Sequence, residues 1–247
     1  MTRSKAIAIG EALIDIAERA GQPRAEYPGG SPLNVAIGLG RLGHPTVLAT
    51  WLGADDRGDT IVRHCRESGV ELVPGSQAAP RTSTALARID DSGHAEYVFD
   101  LLWKVVPLPE GIEPLVVHTG SNGAVIAPGA DDVAAILAAT SRSATITYDP
   151  NVRPDIMGVP DAIRPAIARL VALADVVKVS NEDLAWLYPG AEPKDTAAAW
   201  TKLGPAMVIL TMGAAGSIAL TRSGLELRQR PDPSVTVADT VGAGDSF

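Results

Sequence analysis

Residues 176–211 read VVKVSNEDLAWLYPGAEPKDTAAAWTKLGPAMVILT. Val176–Val179 is a short β-rich run. It is followed by a helical pattern at Asn181–Leu187, a second helix at Thr196–Leu203 and another strand at Met207–Thr211. The same alternation runs upstream, with strands at Leu115–His118 and Thr145–Tyr148 and helices at Ala130–Ala139 and Asp161–Leu173. Strands alternating with helices build a parallel α/β sheet. Such sheets bind ligands in the loops beyond the carboxyl ends of their strands. Those loops are Thr119–Ser121, Asp149-Pro150-Asn151-Val152-Arg153, Ser180–Asp183 and Thr211–Gly216. Arg153 is one of few cations placed there and suits a hydroxyl or phosphate oxygen; an ion pair with Asp149 or Asp155 is the alternative. Lys178, inside an otherwise apolar strand, is expected to reach an acceptor at the strand end.

The N-terminal part adds a second theme. Ala6–Ile9 reads as a buried strand, followed by Gly10-Glu11-Ala12-Leu13-Ile14-Asp15-Ile16. Asp15 is a carboxylate in an apolar extended run, and burying it is costly without a partner. It is either exposed on an edge strand or an acceptor for paired hydroxyls. Tyr27–Asn34 brings a Gly-Gly turn into a helix over Pro32–Leu42, with Ser31 as its N-cap and Asn34 in its first turn. That helix contains Gly38-Leu39-Gly40-Arg41-Leu42-Gly43, a literal G-x-G-x-x-G. A dinucleotide fingerprint needs strand, glycines, then helix. Here the strand, Thr46–Trp51, comes afterwards, which argues against a nicotinamide oxidoreductase and makes Gly43 a helix C-cap. The acidic run Gly53–Asp59 reads as a solvated loop with helix-capping Asp residues, with metal ligation as the alternative. Ser83–Ile89 and Ala95–Phe99, joined by the turn Asp90-Asp91-Ser92-Gly93, form a hairpin outgrowth that Leu101–Trp103 continue.

The last stretch is Asp239-Thr240-Val241-Gly242-Ala243-Gly244-Asp245-Ser246-Phe247. Small residues at 242–244 can expose consecutive amides to an anion, above all if a helix starts there. Asp245 beside them can take a proton. Amides for a phosphoryl group next to a carboxylate are the equipment for phosphate transfer to an alcohol. A glycine-rich turn with Asp as a helix cap is the plainer alternative.

Composition limits what else the chain can be. The formal net charge is −8, and no basic run or basic–aromatic patch is present, which argues against nucleic acid or an anionic membrane as partner. Cys65 is the single cysteine; it excludes an internal disulfide and fits the cytoplasm. MTRSKAIAIG has no apolar signal region, and no run of about 18 apolar residues exists. No glycine is followed by lysine, so there is no P-loop, and the H-R-D set of protein kinases is absent.

Gly29-Gly30-Ser31-Pro32-Leu33-Asn34-Val35-Ala36, with Gly43 and Gly53 downstream, resembles the first signature of the ribokinase-like (PfkB) carbohydrate kinases. Asp239–Asp245 resembles the second. Gly10–Asp15, Asp149–Arg153 and Lys178–Asp183 look like the fructokinase branch. The resemblance covers the whole chain and implies one ribokinase-like domain over 1–247. Its fold would be a three-layer α/β/α sandwich with a mostly parallel sheet and a small β lid from about 13–28 and 82–103. It further implies Asp245 as base with the amides of Gly242, Ala243 and Gly244 as anion hole. Asp15, Gly29, Gly30, Asn34 and Arg153 would face the sugar; Lys178, Thr211, Gly213 and Gly216 would face ATP. The family's N-x-x-E element falls on Ser180-Asn181-Glu182-Asp183, so Mg²⁺ would meet Asp183 or Glu182 through water or phosphate. A monovalent cation such as K⁺ near Asp239, a homodimer joined through the lid, and family sequence continuing beyond Phe247 complete the expectations. Fructose, ribose, 2-keto-3-deoxygluconate and nucleosides all remain open as substrates, as does a non-catalytic binding protein on the same fold.

Overall fold

The computed structural model describes residues 5–19, 21–89, 95–232, 234 and 242–247. The turn Asp90–Gly93 and Asp239, with its expected cation, lie outside the described residues.

The chain runs β1 (Lys5–Ile9), β2 (Leu13–Arg19), β3 (Ala25–Gly29), α1 (Ser31–Arg41), β4 (Thr46–Ala49), α2 (Asp56–Glu67) and β5 (Val70–Leu72). β6 (Thr84–Ile89) and β7 (Ala95–Asp100) follow, then β8 (Pro114–Gly120), α3 (Ala130–Thr140), β9 (Thr145–Asp149), α4 (Pro154–Met157) and α5 (Pro160–Leu173). The last described elements are β10 (Val176–Ser180), α6 (Asn181–Leu187), α7 (Pro193–Trp200), β11 (Met207–Thr211), β12 (Ser217–Thr221) and β13 (Glu226–Gln229).

The main sheet has the order β13-β12-β11-β10-β9-β8-β1-β4-β5. From β5 to β11 every pairing is parallel, and β12 and β13 add an antiparallel edge. From β1 the chain first builds outward through β4 and β5. It then returns to β8 on the other side of β1 and builds the opposite way. The sheet therefore reverses direction at β1/β8, the kind of switch point where α/β sheets open a ligand crevice.

Alternate residues explain the layering. Val177 and Val179 of β10 and Val208 and Leu210 of β11 pack with Leu170 and Val171 of α5, Leu184 of α6 and Trp200 of α7. The opposite face of the sheet buries Ala8 and Leu48 against Leu33, Ala36 and Ile37 of α1 and Ile61 and Cys65 of α2. Burial pushes the Cys65 thiol up to about 12, so it is an inert core residue. The fold is the expected three-layer sandwich.

The lid is a second sheet with the order β3-β2-β6-β7. Its Ile14 and Ile16 join the α1/α2 cluster, which anchors it to the body. Trp103 leaves the lid and enters the main core, donating its indole N–H to the Gly123 carbonyl at 2.7 Å.

Several boundaries differ from the sequence expectations. Helix α1 begins one residue early, and its N-cap is Gly30 rather than Ser31. The reason is local: Gly30 has φ 110°, and a Cβ there would lie 2.6 Å from the Glu11 carbonyl. Helix α7 starts at Pro193 instead of Thr196, because Pro fits a first helical turn. The strand after α1 stops at Ala49 rather than Trp51. Gly38 and Gly40 do lie inside α1, and a Cβ on Gly40 would collide with the Ser68 carbonyl. Gly40 thus lets α1 approach the end of α2, whereas a Cβ on Gly38 would meet open space. The acidic run is loop only as far as Asp55, since α2 starts at Asp56; its capping role holds, with Asp55 accepting from the Gly58 and Thr82 amides at 2.8 Å each. Among the described residues no helix is long and apolar enough to cross a membrane.

Candidate active site

Asp245 sits in a turn closed by the Ser246 N–H on the Gly242 carbonyl at 3.0 Å. Three donors from two distant segments meet its carboxylate. Ser31 Oγ donates to Oδ1 at 2.6 Å, Asn34 Nδ2 to Oδ2 at 2.8 Å, and Asn151 Nδ2 to Oδ1 at 3.2 Å. Ser31 and Asn34 are three apart on α1 and so share a face. The Ser31 hydroxyl, expected to cap the helix, is spent on Asp245 instead.

Lys178 and Asp149 occupy neighbouring strands, one step beyond the Val177–Tyr148 pair. Their ion pair is 2.7 Å long, with side chains only 15% and 5% exposed. The other Asp149 oxygen accepts the Asn151 N–H at 3.1 Å. Burial pushes the Asp149 carboxyl up to about 6; Lys178 pulls it down, while the Asp183 and Asp245 charges push it further up. The Lys178 ammonium also lies against the glycine turn, 3.1 Å from where a Cβ on Gly244 would stand. A cation therefore flanks the 242–244 backbone.

Arg153 makes neither ion pair weighed from the sequence. Its Nη1 donates to Asn151 Oδ1 at 2.8 Å and to the Val152 carbonyl at 3.0 Å. Asp15 stands opposite on β2, an interior lid strand rather than an edge, on the face away from Ile14 and Ile16. Desolvation raises its carboxyl, and the charge of Arg153 lowers it. Gly29, on the neighbouring strand, leaves the space Asp15 needs: a Cβ there would strike the Asp15 carboxylate.

The second end of the cleft lies at the carboxyl ends of β10 and β11, where Ser180 pairs with Thr211. Ser180 and Asp183 form a capping box on α6. Asp183 accepts the Ser180 N–H at 3.3 Å and the Val152 N–H at 3.0 Å, so both its oxygens hold backbone. Glu182 is exposed. With its nitrogen turned toward them, the Asn181 amide reaches Glu182 Oε2 at 2.7 Å and the Thr211 carbonyl at 3.0 Å. Gly213 opens a short 3₁₀ turn, and Gly216 closes the loop at φ 94°, its carbonyl accepting the Met212 N–H at 2.8 Å. Among the described residues no group of three or more His, Cys, Asp or Glu side chains could hold a metal ion.

Sequence reasoning missed Ser31, Asn151 and the Asp149–Lys178 pair as parts of one site. It also passed over Glu11. That buried carboxylate accepts the Gly123 N–H at 2.7 Å and the Asn122 N–H at 3.3 Å, tying the loop after β8 to the β1–β2 connection at the switch point. A glutamate within an apolar run was the available signal.

Known proteins are similar to this chain in sequence and in fold. A fructokinase of Rhizobium leguminosarum bv. trifolii is 33% identical over 249 residues, covering 96% of this chain and 76% of its own length. A fructokinase of Escherichia coli is 28% identical over 253 residues, covering 99% and 82%. Among solved structures, fructokinase from Xylella fastidiosa with bound ATP superposes with a TM-score of 0.82 at 24% identity, over 99% of this chain and 79% of that one. Aminoimidazole riboside kinase from Salmonella enterica, complexed with aminoimidazole riboside and an ATP analog, gives 0.78 at 26% identity, over 98% and 81%. Residues 3–247 match the pfkB family carbohydrate kinase profile, and the chain belongs to that family of sugar kinases.

Proposed function

We propose that this carbohydrate kinase transfers the γ-phosphoryl group of ATP to a primary hydroxyl of a monosaccharide, fructose first, with Asp245 as general base. The observation that carries this reading is the Asp245 carboxylate, held by Ser31, Asn34 and Asn151 beside the Lys178 ammonium. The sugar would lie between the Asp15 face of the lid and the sheet, on Asp15, Asn34, Arg153 and the Gly29–Gly30 turn. Asp245 takes the hydroxyl proton as the sugar oxygen bonds to the γ-phosphorus. The bond to the β-phosphate oxygen breaks, and ADP leaves with its electron pair. Lys178 and the amides of Gly242, Ala243 and Gly244 would carry the charge of the moving group. Thr211, Gly213 and Gly216 would border the nucleotide phosphates. Mg²⁺ fits here as an ion that arrives on the nucleotide and keeps most of its waters; Glu182 is the exposed carboxylate nearest that end, with Asp183 behind it. A K⁺ ion near Asp239 remains part of the proposal, as does a cytoplasmic location, consistent with the free, buried Cys65.

Fructose is favoured by the names of the most similar relatives. The aminoimidazole riboside kinase, at comparable similarity, supports a riboside as second reading, ahead of ribose and 2-keto-3-deoxygluconate. The lid carries stacked Tyr97 and Phe99 rings, 5.9 Å apart, on the Asp15 face. With exposed Tyr27, they fit a second copy docking lid to lid, which sedimentation would test. The function itself is tested by ADP release from MgATP over a panel of sugars and nucleosides. Fructose should give the highest kcat/KM. Absent ADP release would sink the kinase reading in favour of a binding protein, and sugar-independent release would sink it in favour of ATP hydrolysis.

A further inference from the structure

Asn151 is a non-glycine residue at φ 38°. Asparagine tolerates that left-handed region better than most residues, and glycine better still. A turn residue chosen only for its backbone has a side chain with nothing to do. The Asn151 side chain is fully engaged. Its Nδ2 donates to Asp245 Oδ1 at 3.2 Å, and its Oδ1 accepts from Arg153 Nη1 at 2.8 Å. Its backbone N–H is held by Asp149 at 3.1 Å. Only one orientation of the amide serves both neighbours, nitrogen to the carboxylate and oxygen to the guanidinium. Aspartate would suit the backbone but set a second carboxylate against Asp245. Glycine would suit it best and leave both neighbours untied. The backbone alone does not account for asparagine.

We infer that Asn151 is a positioning residue, fixing the Asp245 carboxylate and the Arg153 guanidinium relative to each other so that a hydroxyl bound beside Arg153 is presented to Asp245. The inference rests on the kinase reading above. Ser31 and Asn34 hold Asp245 from a single rigid element, α1. Among the described residues, Asn151 is the one that ties it to the side where Arg153 stands. The charge of Arg153 acts on Asp15 of lid strand β2, and hydrogen bonds run from Arg153 through Asn151 to Asp245. Without the amide, Asp245 can turn about its two α1 donors and Arg153 loses its strongest tether.

The test is Asn151→Gly, with Asp245→Asn assayed alongside. Glycine suits the φ 38° backbone, so the melting temperature should stay near that of the parent. The value of kcat should fall about tenfold or more, as misplaced reacting groups do, while KM for MgATP holds. Unchanged kcat in Asn151→Gly, with Asp245→Asn inactive, overturns the Asn151 role and leaves the kinase reading standing. Unchanged turnover in Asp245→Asn overturns the base assignment and this inference with it. One readout needs no turnover at all. In ¹⁵N-labelled protein, the Asn151 side-chain amide signals should move on Asp245→Ala; signals that stay in place show there is no bridge to act through.

Discussion

The two ends of the cleft are made of different material. At the end shared by α1, the lid and the loop after β9, side chains do the holding: Ser31, Asn34 and Asn151 converge on Asp245, and Asp15 faces Arg153. At the end formed by the loops after β10 and β11, the buried carboxylate is spent on the backbone. Asp183 caps α6 and pins the Val152 amide, while Gly213 and Gly216 shape a loop. On the proposed function, the contrast would follow from what each end recognises, the sugar at the first and the nucleotide phosphates at the second. Alcohols differ in where their hydroxyls point, and directed side chains can tell them apart. Phosphates are alike in every reaction and can be met by amides and one lysine.

The largest expected effect would break the first half of that contrast. Asp245→Asn should lower kcat by roughly 10²–10⁴, the usual contribution of a general base. Sugar binding measured by calorimetry should survive, because Ser31, Asn34 and Asn151 keep their places. Loss of binding together with turnover would make Asp245 a binding group instead.

Asp15→Ala comes next. Removing a charged hydrogen-bond acceptor should raise KM for the sugar about ten- to a hundredfold, the worth of a bond to a charged group. MgATP affinity should hold. An unchanged sugar KM would return Asp15 to a solvent-facing lid residue.

A smaller effect is expected with pH. The Asp149 carboxyl, pushed up to about 6 by burial, takes up a proton as the solution is acidified, and Lys178 loses its partner. Turnover should fall about tenfold between pH 7 and 5, the behaviour of one essential ionisation. Asp149→Asn should remove that acid limb. Stability moves the opposite way. The folded chain binds this proton more tightly than the unfolded chain, whose carboxyl has the ordinary value of 3.8. The contribution of this group to stability is therefore full below 3.8 and lost as pH rises through about 6. Urea unfolding of the parent and of Asp149→Asn over that window reads the difference.

The same contrast decides what the sequence could reveal. Strands β8 to β11 and their helices were legible because each is an apolar run with a clear period, and the lid hairpin because β-formers flank a turn. Strand β13 was not, since all four of its residues are exposed and carry no apolar alternation; β5, only three residues long, gave too little pattern. Asp245, Asn34 and Arg153 stood out as chemistry-bearing residues in glycine-rich or loop contexts. Their other partners, Ser31 and Asn151, did not. The Ser31–Asp245 and Asn151–Asp245 contacts span 214 and 94 residues, and the Asp149–Lys178 pair depends on the register of β9 on β10. Those are consequences of sheet order, which a single sequence leaves open.

Two glycines bring the comparison to its finest test. A methyl group on Gly29 would strike the Asp15 carboxylate, while Gly29 itself does not sit in the left-handed region. Gly29→Ala should therefore push Asp15 out of place and crowd the sugar beside it, raising the sugar KM several-fold with no change of charge. At the other end, a methyl group on Gly216 would collide with the Gln229 carbonyl, and its φ of 94° disfavours any side chain. Gly216→Ala should distort the 211–216 loop and raise KM for MgATP several-fold, leaving the sugar KM alone. Measured with the partner substrate saturating, the two variants should give a crossed pattern, each moving one KM. If Gly29→Ala raised the MgATP KM as much as the sugar KM, the lid would be setting both ends, and their separation into side-chain and backbone recognition would fail.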